Sequence, residues 1–159
     1  MLHPVRPMRP DEYPLLTEFL YHAIFVPEGE APPPREIVER PELQVYVAGF
    51  GSQKDDIAFV AEAGGRVVGA VWVRDMPDYG HVAAGVPSFA IALLPEARGQ
   101  GLGTALMDAM LAELRARGFA RCSLAVQKRN RAQRLYRRAG FVTLRGTDEE
   151  FIMVCDLRK

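Results

Sequence analysis

The sequence predicts a mixed α/β domain, one sheet with helices packed on it, and three observations carry that expectation. Strand-like and helix-like patterns succeed one another as strand, two helices, three strands, helix, strand, helix, two strands. Two β-rich runs flank Gly64-Gly65, the signal of an antiparallel hairpin. Residues 89–94 are apolar on both faces, as a central strand is. A flavodoxin-like sheet, in which parallel strands alternate with helices throughout, does not accommodate the hairpin.

Residues 5–8 read as a short edge strand, confined by Pro4, Pro7 and Pro10. Asp11 is placed to cap a helix with Pro14 in its first turn. That helix runs to about Phe25, with Leu15, Leu16, Phe19, Leu20 and Ala23 as its apolar stripe. Pro32, Pro33 and Pro34 make residues 26–34 a loop. Residues 35–50 read as a helix broken at Pro41, turning Ile37, Val38, Leu43, Val45 and Val47 inward. Strands at 57–63 and 66–75 form the hairpin, and 89–94 follows. A helix opens at Thr104 and buries Leu106, Met107, Met110, Leu111 and Leu114 on one face. Arg115 and Arg117 suit its last turn, and Gly118 stops it. A strand at 121–127 leads to a helix at 130–139 that turns Ala132, Leu135, Tyr136 and Ala139 inward and closes at Gly140. Strands from Phe141 and over 151–157 finish the chain.

The bulk composition narrows the function classes. The 159 residues suit one domain, and no repeat, low-complexity tract or linker divides residues 1–159. Twenty basic and 20 acidic residues balance to zero net charge, which gives no reason to expect nucleic acid or a membrane surface as partner. The first residues lack the apolar core of a signal peptide, and the uncharged stretch 79–95 carries Gly, His, Ser and two prolines. Cys122 and Cys155 lie in apolar strand-like runs, so they read as buried free thiols, and no metal-ligand spacing occurs. A cytoplasmic protein without a bound metal is the expectation.

Chemistry is suggested first by Arg98-Gly99-Gln100-Gly101-Leu102-Gly103, between a strand and a helix. Alternating glycines expose backbone N–H groups, and the dipole of the following helix favours an anion there, so the segment is a candidate pyrophosphate cradle. A dinucleotide fingerprint would need glycine at the sixth position from Gly99, which is Thr104, and no Gly-Lys-Ser/Thr triplet completes a Walker A loop. A plain tight turn would use the same glycines. A second segment follows one helix and one strand later: Asn130, Ala132, Leu135-Tyr136 and Gly140-Phe141.

Together and in this order, the two segments resemble the GNAT superfamily of acyl-CoA N-acyltransferases. Arg98, Gly101 and Gly103 match its Arg/Gln-x-x-Gly-x-Gly/Ala loop, and Ala132 to Phe141 match its Ala-x-x-Leu-Tyr-x-x-x-Gly-Phe segment, with Asn130 ahead of it. The resemblance covers about residues 57–157 well, leaving about 1–56 as acceptor-side elements. It implies a single, twisted, mostly antiparallel sheet of about six or seven strands with helices on both faces.

It also implies an N-acetyltransferase that moves an acetyl group from acetyl-CoA directly to an amine. Arg98, Gly99, Gln100, Gly101, Leu102, Gly103 and Thr104 would hold the pyrophosphate. Ile91, Ala92 and Leu93 would pair with the pantetheine arm as if it were an extra strand, splaying from residues 121–127. Asn130 would cap its helix and bond the same arm. Tyr136, a phenol of pKa about 10, would donate a proton to the departing thiolate. The same tyrosine on a buried helix face would equally suit a core. Neither cysteine lies where a covalent acyl carrier would be expected. A non-catalytic acyl-CoA sensor, or transfer of another acyl group, uses the same loop. The family often forms homodimers.

The base is not legible. An alkylammonium of pKa about 10.4 is less than about 0.1% neutral at pH 7, so its proton needs an acceptor. Residues 89–94 hold no acid, and the position five before Asn130 is Ala125, which argues against a ribosomal-protein acetylase. Glu28, Glu30, Asp75, Asp78, His81 and Glu96 lie in loops, and a water chain to bulk would serve as well. Phe25, Glu28, Glu30, Tyr46 and Phe50 suggest an acidic, aromatic acceptor pocket for a cationic amine. The basic run at Lys128, Arg129, Arg131, Arg134, Arg137 and Arg138 reads as a solvated face, with Arg129 or Arg131 as candidates for a coenzyme phosphate.

Overall fold

Seven strands form one sheet: β1 (Val5–Pro7), β2 (Ile57–Ala63), β3 (Arg66–Arg74), β4 (Ser88–Leu93), β5 (Arg121–Gln127), β6 (Phe141–Gly146) and β7 (Glu150–Asp156). The computed structural model describes residues 5–158, so Pro4 lies outside the described residues. Spatial order is β1-β2-β3-β4-β5-β7-β6. All neighbours are antiparallel except β4 and β5, which run parallel and are in register at a single pair, Ser88 with Ser123. Beyond that pair the two strands share no ladder, and the sheet opens between them. This is the expected splay.

The alternation of side chains across each strand feeds two apolar layers. One holds α3 (Leu102–Ala116), whose Leu106, Met107, Met110 and Leu114 are wholly buried with Val71, Val73, Phe89, Leu124 and Met153. The other holds α1 (Leu16–Ala23), with Leu16, Phe19 and Leu20 against Val60, Trp72 and Ala90. Helices therefore cover both faces. Cys122 and Cys155 are buried free thiols, paired in register across β5 and β7. No helix among the described residues is long and apolar enough to cross a membrane.

Several element boundaries differ from the sequence expectation, each for a local reason. Asp11 caps nothing: Pro10–Leu15 is a 3-10 turn, and Glu12 rather than Asp11 takes the backbone N–H of Arg9, at 2.8 Å. The α-helix starts only at Leu16. Residues 35–50 hold a 3-10 turn at Arg35–Glu39 and a single α-turn, α2 (Pro41–Gln44), followed by turns. The carbonyls of Val45 and Ala48 accept from the buried guanidinium of Arg74 at 3.1 and 2.7 Å, where a continuing helix would have used them itself. Helix α3 begins at Leu102, not Thr104, because Gly101 in the left-handed region (φ +83°) is its N-cap. Helix α4 (Gln133–Ala139) begins after a turn at 130–132.

The loop 75–87 closes the point where β4 and β5 meet. Ser123 Oγ donates to the Gly80 carbonyl at 2.7 Å, and Ser88 Oγ donates to Asp78 at 2.6 Å. Gly80 lies so close to β5 that a Cβ there would stand 2.9 Å from the Ala125 nitrogen. Only glycine fits.

Candidate active site

At the C-terminal side of β4 the chain makes a 3-10 turn at Pro95–Ala97, then the glycine loop, then α3. Gln100 Nε2 donates to the Glu96 carbonyl at 3.2 Å, pinning the loop across its base. No side chain caps α3, so the amides of its first turn are left without a partner among the described residues. Leu102 is buried and can offer a ligand only its amide, whereas Thr104 is exposed. This geometry suits an anion, and so fits the pyrophosphate expected there.

Two cavities flank the opening between β4 and β5. One, of about 600 Å³, is walled by Ile91, Ala92, Leu93, Arg98, Gly103, Asn130, Leu135 and Tyr136 on one side and by 21–26 with Pro32 and Pro33 on the other. Six of the expected cofactor residues, Ile91, Ala92, Leu93, Arg98, Gly103 and Asn130, therefore line a single space. Gly99, Gln100, Gly101, Leu102 and Thr104 are not in its wall and belong to the glycine loop and the first turn of α3. The second cavity, of about 420 Å³, is bounded by Phe25, Ile37, Tyr46, Tyr79, Ala90, Ala125, Gln127, Glu42, Glu149 and Glu150. Ala23, Ile24, Phe25, Ile91, Asn130 and Tyr136 belong to both. Tyr136 is the one titratable side chain in this shared wall.

Tyr136 is 8% exposed and packs edge-on against Phe141 at 6.2 Å between ring centroids. Its hydroxyl has no hydrogen-bond partner within the described residues, and burial pushes it up to about 12. Asn130 Oδ1 accepts from the Ala132 N–H at 2.9 Å, capping the turn before α4, which occupies one of its acceptor positions and leaves the amide NH₂ free of that bond.

The acceptor side is arranged differently from expectation. Glu28 and Glu30 are exposed and line neither cavity, and Glu30 lies 3.9 Å from Arg129. Phe50 packs on Tyr13 instead. Asp75 accepts from the Gly85 N–H, and Glu96 faces Arg66. Asp78 is held by Ser88 behind Tyr46, where burial raises its carboxyl. Of the residues expected in that pocket, Phe25 and Tyr46 line it. The acids that do line it, Glu42, Glu149 and Glu150, carry no signal in the sequence, because a lone glutamate after Pro41 and a glutamate pair in a turn both read as solvated surface.

The family model for the acetyltransferase (GNAT) family matches residues 19–141. The chain belongs to the GNAT family. The resemblance seen in the two motifs is thereby borne out. A mycothiol acetyltransferase from Geodermatophilus obscurus is 40% identical over 86 residues, covering 52% of this chain and 28% of that protein. A second from Beutenbergia cavernae is 40% identical over 78 residues, covering 48% of this chain and 25% of that protein. The chain thus spans about a quarter to a third of the length of these curated relatives. Among solved structures, the PaiA N-acetyltransferase of Thermoplasma acidophilum, in complex with coenzyme A, superposes with a TM-score of 0.69 at 18% identity, covering 98% of this chain and 99% of that one. A GCN5-related N-acetyltransferase from Kribbella flavida gives 0.68 at 21% identity over 97% of both chains. These confirm the GNAT fold. Among the described residues no cluster of His, Cys, Asp or Glu could hold a metal ion.

Proposed function

We propose that this GNAT domain is an N-acetyltransferase that takes acetyl-CoA and a small or peptidic primary amine and transfers the acetyl group directly. The observation that carries the reading is the position of Tyr136 in the wall common to both cavities. A donor placed there meets a thioester entering from one side and an amine entering from the other.

The residues divide the work. Backbone amides of Gly99 to Thr104, with Arg98, bind the pyrophosphate, each contact contributing roughly 0.3–1 kcal/mol, so that several must act together. Ile91, Ala92 and Leu93 present the unpaired edge of β4 to the pantetheine arm, and Asn130 bonds the same arm. Bringing both reactants together where the two cavities share a wall supplies much of the rate, since positioning alone is worth about 7–11 kcal/mol in favourable cases. Tyr136 gives its proton to the sulfur that leaves. The acceptor's alkyl portion meets Phe25, Tyr46 and Tyr79, and the acids around them favour a cation. The mycothiol relatives share their identity with only part of this chain, which leaves the acceptor to be found by screening.

Calorimetric titration tests the reading. Acetyl-CoA and free coenzyme A should bind at micromolar concentration and NAD should not, and Gly101→Glu should abolish binding by placing a carboxylate in the cradle. Tyr136→Phe should retain binding and lose about 10²–10⁴-fold in kcat for amine-dependent thiol release. Absence of coenzyme binding would reduce the loop to a turn. Binding without transfer to any amine would leave a sensor module.

A further inference from the structure

We infer that Glu150 is the base that takes the ammonium proton of the acceptor, an inference that rests on the transferase reading above. Strands β5 and β7 are antiparallel neighbours, with Ala125 opposite Ile152 and Gln127 opposite Glu150. Directly opposed residues share a face, and diagonal ones two positions on lie about 7–8 Å apart. Glu150 is therefore the diagonal neighbour of Ala125 on the face that looks into the acceptor cavity. Its carboxylate reaches a space where β4 offers none, since Ser88 to Leu93 contains no acid.

The backbone fixes that placement. The Glu150 N–H donates to Thr147 Oγ1 at 3.0 Å, and its carbonyl accepts the Thr147 N–H at 2.8 Å, so the turn that begins β7 is closed on itself. The side chain is half-buried and has no ion-pair or hydrogen-bond partner among the described residues. Burial, and then the neighbouring Glu149, raise its carboxyl above its ordinary value, the direction that suits a base. The groups that face it are Glu149 beside it, Arg40 and Glu42 at α2, Tyr46 and Tyr79 across the cavity, and Tyr136 on α4. Lys128 is turned away onto the Phe151 ring. The other buried carboxylate nearby, Asp78, is outside the cavity wall and already accepts from Ser88.

The proton count closes. The ammonium gives one proton to the Glu150 carboxylate, which later releases it to solvent. The free amine nitrogen forms the C–N bond to the acetyl carbon, and the C–S bond breaks with its electron pair going to sulfur. Tyr136 protonates that sulfur and is restored by the second proton of the nitrogen as the amide forms. The products are the acetylated amine, free coenzyme A and one proton.

The test follows kcat/KM against pH for wild type, Glu150→Gln and Glu150→Asp, with 1,4-diaminobutane, ethanolamine and a free N-terminal peptide as acceptors and acetyl-CoA affinity measured in parallel. Glu150→Gln should lose about 10²–10⁴-fold at neutral pH. It should lose the limb on which the wild-type rate rises with pH, regain rate at high pH where the amine is already neutral, and keep the wild-type affinity for acetyl-CoA. Glu150→Asp should restore part of the rate and the limb. An unaltered limb in Glu150→Gln, a rise in KM alone, or transfer of the limb's loss to Asp78→Asn would overturn the inference. Wild-type protein that acetylates none of the amines would instead sink the transferase reading, and the two failures are told apart in the wild type.

Discussion

Glu12 shows what a single carboxylate contributes to this fold. It is 7% exposed, and Arg6 donates to both of its oxygens, at 2.9 and 2.8 Å, while also donating to Glu62 on β2 at 2.6 Å. The Arg6 guanidinium holds the Glu12 carboxyl at about 2, against burial that would raise it. A carboxyl depressed on folding stabilises above its unfolded value of about 4.3 and loses that contribution as pH falls toward 2. Glu12→Gln should therefore cost roughly 1.5–3 kcal/mol at neutral pH, the range for hydrogen bonds to charged groups. Its urea-unfolding stability should also fall less than that of wild type as pH drops through the acid range. An equal acid slope in both proteins would refute the assignment. None of this was legible in the sequence: Asp11 has the better capping pattern, and Glu62, 56 residues from Arg6, meets it only after β1 pairs with β2.

At the scale of elements, the periodic segments were legible and the segment 35–50 was not. The hairpin around Gly64-Gly65 and the apolar stripe of α3 declare themselves through local spacing, and both form as expected. Between α2 and β2 the chain is shaped instead by Arg74, at the end of β3, whose side chain is 2% exposed and forks onto both oxygens of Asp56 at 2.9 Å. Burial would raise the Asp56 carboxyl, but Arg74 and the amides of Gln53 and Gly51 bring it below its ordinary value. The same guanidinium holds the carbonyls of Val45 and Ala48, and so carries Tyr46 into the acceptor wall. Removing one partner of such a pair leaves the other charge buried and costs about 3–5 kcal/mol. Arg74→Met should lose that much stability, and hydrogen exchange should quicken in residues 45–50 ahead of β2 and β3. Uniform quickening across the sheet would mean that Arg74 does not organise this segment.

On the scale of the whole molecule, the sheet is built with a gap. Strand β4 pairs with β3 over six residues but with β5 at one, so the facing edges beyond Ser88 and Ser123 carry unpaired backbone groups in the centre of the fold. The two motifs made the coenzyme side of this gap readable, because glycines and an asparagine at fixed spacing constrain backbone geometry directly. The acceptor side depends on β7, and not β6, being the neighbour of β5, an order that no local pattern encodes, and so nothing in the sequence marks Glu149 and Glu150. A ligand strand inserted in the gap would complete hydrogen bonding that the chain alone does not, and would bind only the folded form. By mass action, acetyl-CoA at 100 times its Kd should then add about 2.7 kcal/mol of stability. For a domain of this size that corresponds to a rise in Tm of roughly 5–10 °C. Hydrogen exchange should slow most at Ile91 and Leu93, whose amides alternate away from β3, and in the first turn of α3, and little in the β2–β3 hairpin. Gly101→Glu should unfold at the same temperature with and without the coenzyme. If it is stabilised as much as wild type, or if protection spreads evenly over the sheet, the coenzyme does not occupy the gap between β4 and β5.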